Sequence, residues 1–152
     1  IEMNPNGGYF RANRGVLFGT DTAAANILDD YEEGTWTPSV GGNASYSQRP
    51  ASYTKVGNLV TASFDIIINV LGTGSTSAIS GLPFTVGTKN EVGSIGYWSA
   101  LATSITSLMF RTDSGSTVIS NATTNSAVVG SANATAIYGN GSRVMGSITY
   151  KV

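Results

Sequence analysis

The chain has 152 residues with 41% hydrophobic content, enough for one domain with a core, and its net charge of -1 with eight scattered lysines and arginines offers no basic stripe for nucleic acid. It contains no cysteine and no histidine, which removes disulfides, thiolate zinc sites and the usual general base near neutral pH. Charged residues are only 11% of the chain, so Gly, Ser, Thr and Asn carry its polar surface, and no apolar run approaches the roughly 20 residues of a membrane span.

The chain opens at Ile1 rather than Met, as a piece of a longer protein would. In "NGGYFRANRGVLFGTDTAAAN" the apolar clusters around Phe10 and around Leu17 and Phe18 are too brief for a core of their own. Residues 1–34 therefore read as a stalk end or linker to an upstream body, with 35–152 as the head. "TAAANILDDYEE" admits a short helical turn, although Asn and the paired Asp oppose it.

"ILDDYEEGTWTPSV" gathers Asp29, Asp30, Glu32 and Glu33 immediately before Trp36. A hydrolytic pair needs two carboxylates held about 5 to 9.5 Å apart across a bond, in a rigid pocket, and adjacency along the chain does not supply that. Calcium would suit the ligand chemistry, but the run lacks the Asp-x-Asp-x-Asn-Gly spacing of a dedicated loop. The favoured reading is a structural junction, with the acids solvated or paired to Arg11 and Arg14 of a neighbouring chain while Tyr31 and Trp36 pack at the base of the head. No metal, cofactor or catalytic residue is expected.

After Gly34 the pattern is β. In "NLVTASFDIIINVL", Val60, Ala62, Phe64, Ile66, Ile68 and Val70 alternate with Thr61, Ser63, Asp65 and Asn69, with Leu59 and Ile67 as exceptions, the period of a half-buried strand. "GLPF" carries Pro83 and reads as the start or edge of a strand. "VGSIGYWSA", "TSLMFRT" and "STVIS" read as strands, with "DSG" at 113–115 as a hairpin turn. A further strand is expected at 136–138, and "SRVMGSITYKV" closes the chain with a strand of the same alternation. Many short strands with Gly, Asn and Ser turns predict an all-β, antiparallel β-sandwich of jelly-roll character. Asn-x-Ser/Thr patterns at Asn43, Asn121, Asn133 and Asn140 follow from the abundance of these residues.

"LDDYEEGTWTPSV", "ASYTKVGNLVTASFDI", "ISGLPFTV" and "GSITYKV", in that order, resemble the C-terminal head domain of bacteriophage tail fibre and tailspike proteins. The resemblance spans residues 28–152. It implies a homotrimer at the distal tip of a virion fibre, a β-sandwich head from each chain, an upstream fibre body and adhesion to the host surface. The trimer junction would use Phe10, Arg11, Arg14, Leu17, Phe18, Asp29, Asp30, Glu32, Glu33 and Trp36. Loops at 86–103 and 120–142 depart from the family, so no ligand is carried over.

A bacterial surface polysaccharide, lipopolysaccharide or capsule, is the expected partner; nucleic acid and membrane insertion are not. Tyr97 and Trp98 are adjacent in an expected strand, so they face opposite ways and only one can be core. An exposed aromatic beside amides and small residues suits a sugar, which needs a stacking face and hydrogen bonds at its rim. The candidate glycan-binding residues are therefore Asn90, Tyr97, Trp98, Tyr138 and Asn140. The alternatives are an aromatic in the core or subunit interface, and a domain that only closes and registers the trimer.

Overall fold

The alternation over residues 59–70 produces the longest strand of the fold. The structure is a computed structural model describing residues 2–3, 10–11, 15–20, 22–24, 27–124, 130–131 and 136–152. In chain order its strands are β1 (Glu2–Met3), β2 (Phe10–Arg11), β3 (Tyr31–Thr35), β4 (Ser45–Gln48), β5 (Ala51–Val56), β6 (Leu59–Val70), β7 (Ala78–Ser80), β8 (Val92–Ser99), β9 (Ser107–Thr112), β10 (Val118–Thr124), β11 (Gly130–Ser131) and β12 (Arg143–Lys151). Among the described residues there is no α-helix. Of the helical turn expected over 22–33, the described part has one residue of 3-10 geometry, Ala24, and residues 31–33 are strand. Pairing with β5 overrides the weak helix propensity there.

β1 and β2 pair with each other, and all the other strands belong to one antiparallel sheet in the order β11-β10-β9-β8-β12-β6-β5-β3, with β4 beside β6 and β7 beside β10. β6 pairs with β12 from Leu59↔Lys151 to Ile67↔Arg143. On its other side it pairs first with β5 and then with β4, which are separated by Arg49 and Pro50. Past β3 the chain returns to the far end of the sheet, where Ser39 and Ser80 exchange backbone hydrogen bonds of 3.0 and 2.7 Å. The sheet thus curls until its two ends meet, and the fold is all-β, antiparallel and sandwich-like.

One face of the curl is apolar. Val60, Ala62, Phe64, Ile66 and Ile68 of β6 lie against Tyr150, Ile148 and Val144 of β12, and Phe110 and Ile119 close the far side. Phe64 meets Trp36 edge-on, with ring centroids 5.7 Å apart, and Phe110 at 5.2 Å. Trp36, expected to pack at the base of the head, belongs to the head core and donates from Nε1 to the Ser63 carbonyl at 3.2 Å. The close packing requires glycine at Gly146, where a Cβ would lie 2.5 Å from the Phe110 ring and 2.7 Å from the Ser94 carbonyl oxygen.

Three expected features differ. Residues 136–138 form no strand, yet Ile137 and Tyr138 are buried and both donate backbone hydrogen bonds to Thr76. Pro83 lies in the connection between β7 and β8, not in a strand. The boundary expected between residues 34 and 35 falls inside β3, whose five residues all pair with β5. Upstream of β3, Val16 and Leu28 bridge through hydrogen bonds of 2.9 and 3.0 Å, and the Asp30 carbonyl accepts from Gly57 at 2.7 Å.

Candidate functional site

The outward face of the same strands is polar, and its register aligns chemically similar side chains. Thr35 of β3 lies opposite Ser52 of β5, Ser52 opposite Ser63 of β6, Ser63 opposite Ser147 of β12, and Ser147 opposite Ser94 of β8. All five are exposed, so a row of hydroxyls crosses five adjacent strands. Ser52 and Ser63 share a hydrogen bond of 3.1 Å. The next row holds Thr54, Thr61 and Thr149, the last two sharing a hydrogen bond of 3.0 Å.

This row lies in an open cleft of about 870 Å3, whose lining also includes Arg49, Asp65, Gly96 and Met145. Gly96 is the extra residue of a β-bulge, because β12 pairs Met145 with Tyr97 but Gly146 with Ile95. The bulge shifts the alternation of β8, so Ile95 and Trp98 both pack on the core while Tyr97 turns outward. A Cβ at Gly96 would meet nothing within 4 Å, so the bulge leaves open space in the cleft.

Charge is concentrated at one edge. Asp65 accepts from Arg143 Nε at 3.0 Å and Nη2 at 2.7 Å, and from Gln48 Nε2 at 2.6 Å. Its hydrogen bonds raise the pKa of Arg143, against a smaller opposing effect of burial. The Arg143 guanidinium lies over the Tyr97 ring, 5.5 Å from its centroid, and that of Arg49 lies over Tyr46 at 4.7 Å. The site offers hydroxyls that both donate and accept, an exposed aromatic, the apolar Met145 and a fixed ion pair.

The sequence-predicted glycan residues are not brought together. Tyr97 flanks the cleft and is 47% exposed. Trp98 is half-buried against the core and lines a separate cleft of about 340 Å3 with Leu101 and Ile105. Tyr138 is buried, its hydroxyl donating to Asn121 Oδ1 at 3.0 Å; burial raises its pKa, and its ring has no face for a ligand. Asn90 and Asn140 are exposed at opposite ends of the sheet, where their Oδ1 atoms accept from the backbone N–H groups of Ser114 and Leu71, each at 2.8 Å. Sequence reading missed the hydroxyl row because each member comes from a different strand. The one local signal was the two-residue Gly57-Asn58 turn, which sets the β5–β6 register; Gly57 has φ of 57°, as the first residue of a II′ hairpin turn requires.

The acids of the junction separate. Asp30 turns to Lys55 of its own chain, which is only 8% exposed and lies 5.5 Å from the Phe84 ring centroid. A buried ammonium needs a counter-charge, and Asp30 supplies it from within the same chain. Glu33 accepts from the Tyr31 hydroxyl, which raises the tyrosine's pKa. Asp29 is exposed and Glu32 half-buried. Among the described residues no three acidic side chains converge as a metal site would require. Leu17 and Phe18 are exposed, Phe18 at 69%. Phe10 and Arg11 form β2 with their backbones, and Arg14 lies outside the described residues.

Comparison of the chain with protein-family models, with curated proteins and with solved structures gave no match.

Proposed function

We propose that this chain is the attachment head of a phage tail fibre or tailspike and that it binds a bacterial surface glycan in the hydroxyl-lined cleft. The observation that carries the reading is the row Thr35, Ser52, Ser63, Ser147 and Ser94 in a cleft lined also by Met145, with the exposed Tyr97 paired opposite Met145 just outside it. Sugars present ring hydroxyls that need donors and acceptors together with weakly apolar C–H faces, and this surface has both. Four interstrand steps of roughly 4.8 Å make a track on the order of 19 Å, long enough for several sugar rings. The four segments resembling phage fibre heads support the same reading, with the head at the fibre's distal tip and the fibre body upstream.

The test is an array of bacterial lipopolysaccharide and capsule oligosaccharides probed with the chain and with Gly96→Gln. The new side chain enters open space at a position without left-handed φ, so it should fill the cleft without disturbing the fold. Binding by the parent chain that Gly96→Gln abolishes is the expected result. Glycan binding untouched by Gly96→Gln would move the site elsewhere.

A second reading, a trimerising cap without a ligand, is favoured by the exposed apolar side chains of Leu17, Phe18, Tyr31, Val56 and Leu59. The last three are adjacent across β3, β5 and β6. Light scattering decides whether the chain is trimeric, and a trimer that binds no glycan on the array would select this reading.

A further inference from the structure

The cleft carries one positive charge that no described residue neutralises. Of the three arginines whose side chains are described, Arg111 pairs with Asp113 at 3.2 Å and Arg143 with Asp65 at 2.7 Å. Arg49 lines the cleft, is exposed and forms no ion pair among the described residues; its guanidinium lies over the Tyr46 ring. The carboxylate in the same cleft, Asp65, already accepts three hydrogen bonds from Arg143 and Gln48, most of the roughly four that a carboxylate can take. Its charge is therefore matched, and the cleft retains the charge of Arg49.

We infer that the cleft takes an acidic polysaccharide, one whose sugars bear carboxylates, and that Arg49 pairs with that carboxylate while Ser52, Ser63 and Ser147 bond the ring hydroxyls. This rests on the cleft being a glycan site, as proposed above. A guanidinium lying on an aromatic ring uses its flat face, which leaves its in-plane N–H groups for an acceptor at the side. That fork matches the two oxygens of a carboxylate, and the contact with Tyr46 limits the freedom lost when the pair forms. Arg49 immediately precedes Pro50, between β4 and β5, so clash with the proline ring restricts its backbone to extended conformations, and the Asp65 N–H to Pro50 carbonyl bond of 3.0 Å anchors the next residue. A positioned, unpaired cation beside a row of neutral hydroxyls distinguishes acidic from neutral sugars.

The test uses bacterial capsular oligosaccharides, each in its native acidic form and in a carboxyl-reduced form of the same linkage. Titration calorimetry compares the parent chain with Arg49→Gln, Arg49→Lys and Gly96→Gln, with thermal melts confirming that each folds. The expected result is that the parent binds an acidic form at least about tenfold tighter than its reduced counterpart, as a charged hydrogen bond allows. Arg49→Gln should erase that preference, Arg49→Lys should keep part of it, and added salt should weaken only the acidic form. Equal binding of both forms, or a preference that survives Arg49→Gln, overturns the inference while leaving a glycan site in place. Binding of neither form by the parent overturns the site and the inference together.

Discussion

The two faces of β6 and β12 share one ladder but follow opposite rules. On the inner face a Cβ at Gly146 would collide with Phe110, whereas in the outer cleft a Cβ at Gly96 would meet nothing. Inner side chains are buried and apolar, and their shapes constrain one another; outer ones are mostly polar, with rows of exposed hydroxyls beside Asp65, Arg143 and Met145. Because strand side chains alternate, one ladder can hold a fixed core and a variable surface with little coupling between them. A fold built this way lets outer side chains change with little loss of stability.

The comparison breaks most visibly in the core. Phe110 is fully buried between Phe64 and Gly146, so Phe110→Ala should cost about 3 to 5 kcal/mol of unfolding free energy by urea titration. Gly146→Ala should cost about 1 to 3 kcal/mol, because the ring or β8 must shift to admit a methyl group. Gly96→Ala should change stability by less than about 0.5 kcal/mol. Equal costs at the two glycines would end the distinction between the faces.

The Lys55 pair tests an intermediate case, since its two partners are unequally buried. Lys55 lies on the inner face of β5, while the Asp30 side chain is 47% exposed. Asp30→Asn would leave a buried ammonium without its counter-charge and should cost about 1 to 3 kcal/mol. Lys55→Met should cost less, because water can reach the carboxylate left behind and the new side chain still packs on Phe84. The reverse order would mean that Asp30, not Lys55, is the group requiring compensation.

Some of this was legible in the sequence. The alternation of β6 and β12 identified Phe64, Ile66, Ile148 and Tyr150 directly, since both strands have one wet and one dry face. The pair Tyr97 and Trp98 was legible only as a choice. Its resolution depends on the bulge at Gly96, a property of pairing with β12 and not of β8 alone. Tyr138 read as a ligand-facing residue at the end of an expected strand, beside Gly139 and Asn140, yet it is buried and Asn121 across the fold accepts its hydroxyl. The hydroxyl row was hidden for the same reason: Thr35, Ser52, Ser63, Ser94 and Ser147 are unremarkable alone, and only register aligns them.

Buried tyrosines extend the inner-face rule to pH. Burial, and to a lesser degree the neighbouring Tyr53, push the Tyr150 hydroxyl up from 10.0 to about 12, against a lowering contribution from its Phe84 backbone bond. Tyr138 is also raised by burial. Above pH 10 the unfolded chain releases protons that the folded chain still holds, so stability is intact below pH 10 and falls as pH rises towards 12. Urea midpoints measured from pH 8 to 12 should follow that course. Tyr150→Phe, though less stable at pH 8, should show a shallower decline.

The smallest effect belongs to the outer rows and tests whether they contribute to the fold at all. Ser52 and Ser63 bond each other at 3.1 Å in full exposure, where water can replace either partner. Cross-strand hydroxyl pairs contribute about 0.2 to 1 kcal/mol relative to alanine, and exposure places this one at the low end. A double-mutant cycle of Ser52→Ala and Ser63→Ala should therefore give a coupling of about 0.2 to 0.5 kcal/mol, with the double variant folding normally. Glycan affinity should respond differently, because each alanine removes a donor and an acceptor from the proposed track. A large loss of binding at nearly constant stability would separate the two faces functionally as well as structurally. A coupling above about 1 kcal/mol would instead assign the hydroxyl row to holding β5 and β6 in register.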